Sequence, residues 1–200
     1  EGTGRGATLV PVERRMRITR LGQGVDKTRS LAPEAIERSV AVLREYREVI
    51  DDLGATKVRA TATSAARDSS NRETFFLPAT RALGVEPELL SGADEARLSF
   101  IGATAGLTEP SPYLVVDIGG GSTEFALGTT EPEAVCSIDV GCVRITEQFL
   151  TSDPPTPEEL SGAVSVVRDY LADVERDVPG ARAAPTLVGL AGTVTTIAAI

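Results

Sequence analysis

The chain has 200 residues, a formal net charge of −9 and no histidine. So acidic a chain is not expected to bind nucleic acid, because phosphate backbones are held by dense Lys and Arg. No apolar run approaches the roughly 18 residues that a membrane span needs, and no signal peptide is recognisable. The sequence therefore predicts a cytoplasmic protein that enters no membrane.

The lack of histidine also limits the possible chemistry. It excludes Ser-His-Asp and Cys-His catalysis within this chain, so any general base is expected to be a carboxylate. Cys136 and Cys142 are too few for a standard zinc site. A structural disulfide is not expected in the cytoplasm, so we predict both as small core residues.

The first half of the sequence alternates between strand and helix patterns. Gly2, Gly4 and Gly6 favour a hairpin turn over a nucleotide-binding loop, because their spacing is not GxGxxG. Residues 33–53 have apolar positions at three-to-four spacing, which predicts a helix that begins near Pro33. The other predicted elements are strands at residues 8–12, 16–21, 58–63 and 85–90 and helices at residues 71–83 and 91–105.

The two shorter predicted helices have recognisable start signals. Asn71 is a candidate N-cap for the first, and Pro78 is expected to kink or shorten it. Ser91 followed by Asp94 resembles a capping box for the second. The turn-rich residues 107–112 mark a predicted boundary between a first lobe, residues 1–110, and a second lobe, residues 111–200.

The second half predicts a hairpin followed by further α/β elements. A buried strand at residues 113–117 and a strand at residues 123–127 are joined by three glycines. The remaining predicted elements are strands at residues 135–140 and 186–190 and helices at residues 143–150, from 156 to about 171 and after 193. Strands alternating with helices predict an α/β protein, and the hairpin makes its sheet mixed.

The strongest chemical signal is the stretch Asp117-Ile-Gly-Gly-Gly-Ser-Thr-Glu124. Three glycines can turn with positive φ and expose successive N–H groups, which form a nest for phosphate oxygens. Ser122 and Thr123 can donate further hydrogen bonds. Asp117 and Glu124 would repel phosphate unless a divalent cation lies between them. The alternative is a hairpin turn with two solvated acids.

Three weaker signals remain open from the residues alone. Gly192 and Thr193 lie in a strand-to-helix turn that either presents amides to an anion or is only a tight connection. Glu95 is either functional or a first-turn acid that favours the helix dipole. Arg67 either clamps a phosphate from a strand end or lies on the surface.

Together these motifs resemble the exopolyphosphatase and guanosine pentaphosphate phosphatase (Ppx/GppA) family. The resemblance covers nearly the whole chain and is carried by residues 20–25 (RLGQGV), 62–67 (ATSAAR), 91–98 (SGADEARL), 117–124 (DIGGGSTE), 140–147 (VGCVRITE) and 189–195 (GLAGTVT).

The resemblance implies an actin-like, acetate-kinase (ASKHA) fold with two ribonuclease-H-like lobes. It implies that Glu95 is the general base, that Asp117 and Glu124 hold Mg²⁺ and orient water, and that Arg67 clamps phosphate. The phosphate cradle would be Gly119, Gly120, Gly121, Ser122 and Thr123. The implied substrate is inorganic polyphosphate or guanosine pentaphosphate, and a homodimer is a candidate assembly.

One departure concerns the family's opening strand and its Asp-x-Gly-Thr-Asn-Ser type loop, which no part of this sequence matches. We therefore expect a stretch truncated at both ends, lacking the first strand and one phosphate wall, so that it can be inactive by itself. The alternative functions are an ATP-dependent kinase or ATPase of the same fold, and a non-catalytic sensor of polyphosphate or guanosine phosphates.

Overall fold

A computed structural model describes residues 10–200, which form two sheets with helices packed around them. The strands are β1 (Thr61–Ala62), β2 (Glu88–Leu89), β3 (Tyr113–Ile118), β4 (Thr123–Gly128), β5 (Pro132–Ile138) and β6 (Thr186–Leu190). The helices are α1 (Val25–Thr28), α2 (Pro33–Asp52), α3 (Ser64–Arg67), α4 (Glu73–Leu83), α5 (Gly92–Thr104), α6 (Cys142–Phe149), α7 (Pro157–Asp177) and α8 (Ala191–Ala198).

The first region, residues 10–90, is mainly helical. Strands β1 and β2 pair in parallel over two residues each. Helices α2 and α4 pack together, and α2 begins at Pro33 as predicted. The buried core of this region consists of Val25, Leu31, Val40, Ala62, Ala66, Phe75, Phe76 and Ala79.

The strand predicted at residues 16–21 is wrong. Residues 10–20 form neither helix nor strand, and the side chains of Val10, Val12, Met16 and Ile18 are exposed. Alternating hydrophobicity does not make a strand unless a neighbouring strand supplies backbone partners. The glycine turn and residues 8 and 9 of the strand predicted at residues 8–12 lie outside the described residues, and residues 10–12 do not form the rest of that strand.

Asn71 does not cap α4, contrary to prediction. Its side-chain oxygen accepts from the backbone N–H of Leu31 at 2.8 Å, and its side-chain nitrogen donates to the Leu31 carbonyl at 3.0 Å. Helix α4 instead begins after Arg72 and continues through Pro78. It ends before Gly84, whose φ of 77° and N–H bond to Thr80 are those of a C-terminal cap.

The second region contains a four-stranded mixed sheet in the order β5-β4-β3-β6. Strands β3 and β4 form the predicted antiparallel hairpin, and β6 pairs with β3 in parallel. Helix α5 covers one face of the sheet and α7 the other. This gives a three-layer arrangement whose buried faces explain the apolar strands.

Helix α5 packs on this second sheet although it precedes residue 107 in the chain. Ala96 and Phe100 of α5 are fully buried against Tyr113, Val115 and Ala126. Its first turn therefore lies over the strands that carry the predicted acids. The division into lobes at residue 110 stays a prediction.

The cysteine prediction holds only in part. Cys136 is half-buried on β5, but Cys142 is exposed at the start of α6, so its assignment to the core is wrong. Within residues 10–200, no helix has both the length and the apolar character needed to cross a membrane.

Candidate active site

Three polar side chains form one row across the second sheet. The strand register pairs Asp117 with Glu124 and Glu124 with Ser137. The Ser137 hydroxyl donates to Glu124 Oε1 at 2.9 Å. All three lie on the sheet face that α5 covers, because side chains at alternate strand positions share a face.

Helix α5 adds two more polar groups to this row. Ser91 caps the helix as predicted, accepting from the Asp94 N–H at 3.1 Å. This start places Glu95 in the first turn and Ser99 one turn later, on the same side of the helix. The Ser99 hydroxyl donates to Asp117 Oδ2 at 2.7 Å. The helix cap thus sets where Glu95 meets the sheet.

Glu95 lies inside the site rather than on the outer surface. Its carboxylate accepts from Arg67 Nη1 at 3.4 Å, and both side chains are largely buried. Burial raises the pKa of Glu95, and the charge of Asp117 raises it further, while Arg67 and a hydrogen bond from Thr63 oppose the shift. A carboxylate with a raised pKa is a better proton acceptor near neutral pH.

Glu124 is the most deeply buried of the three acids. Its side chain is 2% exposed, and burial raises its pKa to about 7. The charges of Glu95 and Asp117 contribute to this rise, while hydrogen bonds from Ser122 and Ser137 oppose it. Three acids that interact in one buried place form a site where a cation or a shared proton would relieve repulsion.

The glycine loop, residues 119–121, differs from the prediction in its backbone. None of the three glycines has a positive φ. Glycine is required here because other atoms approach closely. A Cβ on Gly121 would lie 2.9 Å from Ser64 Oγ, and one on Gly141 would lie 2.4 Å from the Gly120 backbone.

The carbonyl groups of this loop all point toward α6. The Gly119 carbonyl accepts from the N–H of Cys142, and the Gly120 carbonyl accepts from the N–H groups of Val143 and Arg144. The Gly121 carbonyl accepts from Arg144 Nε at 2.7 Å. These peptide bonds are trans, so each N–H points away from the carbonyl that precedes it.

The N–H groups of Gly120, Gly121 and Ser122 therefore face away from α6 and toward the opposite side of the loop. Within residues 10–200, we find no protein acceptor for the N–H groups of Gly120 and Gly121. Successive free N–H groups form a nest that suits an anion. The positive φ values that were predicted for this loop are absent, and the binding of phosphate by these N–H groups stays a prediction.

The two hydroxyls after the loop serve the protein interior. Ser122 and Thr123 are both buried. Thr123 donates its hydroxyl to the Val140 carbonyl at 2.5 Å, and Ser122 bonds to Glu124. These placements favour the backbone amides over the hydroxyls as phosphate donors.

The remaining residues that were predicted to contact phosphate are Arg67, Gly192 and Thr193. Arg67 donates to the Leu90 carbonyl at 2.9 Å as well as to Glu95, so it borders the site. Gly192 and Thr193 are at the start of α8. Strand β6 places them beside the end of β3, because Leu190 pairs with Asp117.

A cleft of about 590 Å³ opens between the first region and the glycine loop. Its walls include Thr63 and Ser64 of the first region, Gly120 and Gly121 of the loop, and α6. Glu95, Asp117 and Glu124 are not among the residues that line it, and Thr63, which bonds to Glu95, connects the cleft to the acids. A cleft of this volume lies in the size range of small-molecule sites.

The structure adds polar side chains to the site that the sequence did not single out. They are Thr63, Ser99 and Ser137, which bond to the acids, and Asp26, Asp68 and Arg144 in the cleft wall. Arg144 lies within the VGCVRITE stretch, but no spacing rule distinguishes it from a surface arginine. Its burial and partners come from tertiary contacts.

The donor set at the acids fits Mg²⁺ in chemistry. Within residues 10–200, no three His, Cys, Asp or Glu side chains converge as a full metal cage. Mg²⁺ does not need one, since it commonly takes one or two carboxylates and keeps several waters. Asp117 and Glu124, paired across β3 and β4, are the two candidates.

Comparisons with known proteins identify the family of this chain. The sequence model of the Ppx/GppA phosphatase family matches residues 3–200. The chain is 49% identical over 198 residues to Exopolyphosphatase 2 of Mycobacterium tuberculosis, covering 96% of this chain and 62% of the relative. It therefore spans less than two thirds of the length of that relative.

Solved structures resemble the fold closely. A crystal structure of an exopolyphosphatase-like protein has a TM-score of 0.90 at 44% identity. The match covers 94% of this chain and 61% of the chain in that crystal structure. An exopolyphosphatase from Cytophaga hutchinsonii has a TM-score of 0.81 at 30% identity, covering 90% of this chain and 58% of its own. The Aquifex aeolicus Ppx/GppA family member has a TM-score of 0.70 at 36% identity, covering 92% of this chain and 58% of its own.

These structures confirm the predicted α/β fold, which is that of solved Ppx/GppA family proteins, while its wider actin-like grouping stays a prediction. The chain belongs to the Ppx/GppA phosphatase family.

Proposed function

We propose that the full-length protein removes the terminal phosphate of inorganic polyphosphate by attack of water. The observation that carries this proposal is the position of three interacting acids, Glu95, Asp117 and Glu124, beside a loop with outward-facing amides. Phosphoryl transfer needs positioning and charge stabilisation more than covalent chemistry. The loop supplies donors and the acids supply a base.

In this proposal Glu95 accepts a proton from the attacking water. A bond forms between the water oxygen and the terminal phosphorus, and the bridging P–O bond breaks, leaving the shortened chain. The raised pKa of Glu95 suits this proton transfer, and Arg67 orients the carboxylate. The hydrogen bonds from Ser99 and Ser137 fix Asp117 and Glu124.

Phosphate is held mainly by the N–H groups of Gly120 and Gly121. Arg67 adds positive charge at the border of the site, and Gly192 and Thr193 are candidates for contacts farther along the chain. This local arrangement is consistent with a net charge of −9, which offers no broad basic surface for a polyanion.

Mg²⁺ would be held by Asp117 and Glu124, where it would neutralise charge on the phosphoryl oxygens. Relief of the repulsion at Glu124 favours such binding. A cytoplasmic location and assembly as a homodimer belong to the same proposal and rest on the sequence and the family.

Polyphosphate is the first candidate substrate because the Mycobacterium tuberculosis relative is named an exopolyphosphatase. Conversion of guanosine pentaphosphate to tetraphosphate is the second candidate. Both substrates end in the same phosphoanhydride, which is the part that the loop and the acids would contact.

The test is phosphate release by the full-length protein from polyphosphate, guanosine pentaphosphate and ATP, each with Mg²⁺ and with EDTA. We expect orthophosphate from polyphosphate with Mg²⁺ and little in EDTA. ADP formation from ATP, with no release from polyphosphate, would instead identify an actin-like kinase or ATPase. Tight binding of polyphosphate or guanosine pentaphosphate without release from either would identify a sensor.

A further inference from the structure

We propose that Arg144 is a positioning residue that orients the glycine loop and fixes it against the first region. The inference deepens the proposed function and rests on it, because the loop is the proposed phosphate cradle. Arg144 lies on α6 and is 8% exposed. It touches no proposed reacting atom, so its role is to act through the loop.

All three guanidinium nitrogens of Arg144 have partners. Nε donates to the Gly121 carbonyl at 2.7 Å. Nη1 pairs with Asp26 and Nη2 pairs with Asp68. Asp139 is a more distant neighbour at 3.9 Å. The planar fork thus joins the loop to two carboxylates of the first region, a geometry that only arginine provides.

The two carboxylates come from different elements of the first region. Asp26 belongs to α1, and Asp68 directly follows α3. Because α3 also begins next to Thr63, which bonds to Glu95, one short helix connects the Arg144 contact with the proposed base. Arg144 therefore sets the distance between the base side and the loop side of the cleft.

Neighbouring residues on α6 make further contacts with the first region. Gln148 donates to Asp26 Oδ2 at 2.6 Å, and Glu147 accepts from the Gly24 N–H at 3.1 Å. Together with Arg144 they occupy one face of the helix, at three- and four-residue spacing. The Gln148 bond and the Arg144 charge lower the pKa of Asp26, which keeps its carboxylate ionised.

The contact with Gly121 has a direct consequence for the amides. In a trans peptide, fixing the carbonyl fixes the opposite direction of the next N–H. Backbone N–H groups of α6 fix the carbonyls of Gly119 and Gly120. Among the described residues, 10–200, Arg144 is the partner that we find for the Gly121 carbonyl. It thereby orients the peptide that joins Gly121 to Ser122, directly after the two proposed phosphate donors.

The test must separate this positioning role from loss of a buried charge. Removing Arg144 alone leaves Asp26 and Asp68 unpaired, which destabilises a protein whatever the function. The variant Arg144→Met with Asp26→Asn and Asp68→Asn removes the buried charges and leaves the exposed Asp139 in place. The Gly121 carbonyl loses its donor without any buried charge being left unpaired. Arg144→Lys is the conservative variant, and Arg176→Met, an exposed arginine of α7, is the matched control.

Two measurements are made on the full-length variants. The first is steady-state phosphate release from polyphosphate. We expect the triple variant and Arg144→Lys to lose about tenfold or more in kcat, with a smaller change in KM, since misplacement of donors acts on the transition state. The second is hydrogen exchange at the Cys142 and Val143 amides, which should become faster as the loop loosens from α6.

The outcomes are distinguishable from failure of the proposed function. Wild-type kcat and unchanged exchange in the folded triple variant would overturn the positioning role. If the wild-type protein releases no phosphate, the proposed function fails, while the exchange measurement still tests the role of Arg144 in holding the loop. Arg176→Met should match the wild type in both measurements.

Discussion

The two regions of the molecule position their polar residues in different ways. In the second region, strand register alone aligns Asp117, Glu124 and Ser137. In the first region the sheet has strands of two residues, and side-chain bonds to the backbone, such as those of Asn71, do much of the positioning. Asp117 and Glu124 are thus fixed by a continuous ladder of strands, and the opposite wall of the cleft is fixed by individual contacts.

This difference predicts where single substitutions act. Changes in the second region should alter the chemistry through the acids and the loop, and changes in the first region should act on folding of the cleft wall. The predictions below test that contrast in the full-length protein.

The largest effect is expected from Glu95→Gln, which removes the proposed base with little change in shape. Turnover of polyphosphate should fall by about 10²-fold or more, while polyphosphate binding is kept. Steady-state kinetics and equilibrium binding measure the two. Glu158→Gln, in the first turn of α7, is the control, and turnover near the wild-type value would remove Glu95 from the base role.

Gly141→Ala tests the close approach between α6 and the glycine loop. The added Cβ would meet the Gly120 backbone at 2.4 Å, so the loop must move. We expect a loss of about 1–3 kcal/mol in unfolding free energy and a marked fall in kcat. Gly102→Ala in α5, where no atom beyond the chain neighbours and the nearby backbone of the helix lies within 4 Å of the new Cβ, should keep both stability and turnover.

Asn71→Ala tests the first region. The substitution leaves the N–H and carbonyl of Leu31 without their partner, which should cost about 1–3 kcal/mol in unfolding free energy. Denaturant unfolding measures it. The neighbouring Arg72 is half-buried, and within residues 10–200 the side-chain partner that we find for it is Glu73 at 3.8 Å. Arg72→Ala should therefore change stability by less than about 0.5 kcal/mol. Equal effects of the two substitutions would contradict the importance of the Asn71 bonds.

The smallest effect is expected in the pH dependence of stability. The pKa of Glu124 is raised from 4.5 to about 7 in the folded protein, so between these values the folded state holds a proton that the unfolded chain has lost. Stability therefore falls as pH rises through this window. Thermal unfolding in EDTA should show a higher Tm at the acidic end of the window than at its neutral end.

Glu124→Gln should flatten that slope, because the amide cannot titrate. Glu133→Gln on the neighbouring strand β5 is the control and should leave the slope unchanged. Mg²⁺ should raise Tm more at neutral pH than at acidic pH, because protonation of Glu124 competes with a cation. A Tm that rises with pH across the same window in EDTA would contradict the buried, raised pKa.

Much of the fold followed from local patterns. The capping residues Ser91 and Thr156 mark the starts of α5 and α7, and the apolar runs around the three glycines predict the β3–β4 hairpin. The failures were of another kind. The apolar alternation at residues 16–21 matches a strand, but strand formation depends on a partner that the pattern does not contain. Asn71 matches an N-cap, but its amide bonds to a residue 40 positions away.

The sequence by itself determined the family, the α/β class, and the residue types of the site, because motif order and hydrophobic periodicity are local properties. Tertiary structure decided how deeply those residues are buried, how they are oriented and which partners they have. It raised the pKa of Glu124 by burying it beside two acids, turned the loop amides outward by giving their carbonyls to α6, and placed Arg144 between Asp26 and Asp68. Burial, orientation and pairing depend on contacts between segments distant in the chain, which no local pattern specifies.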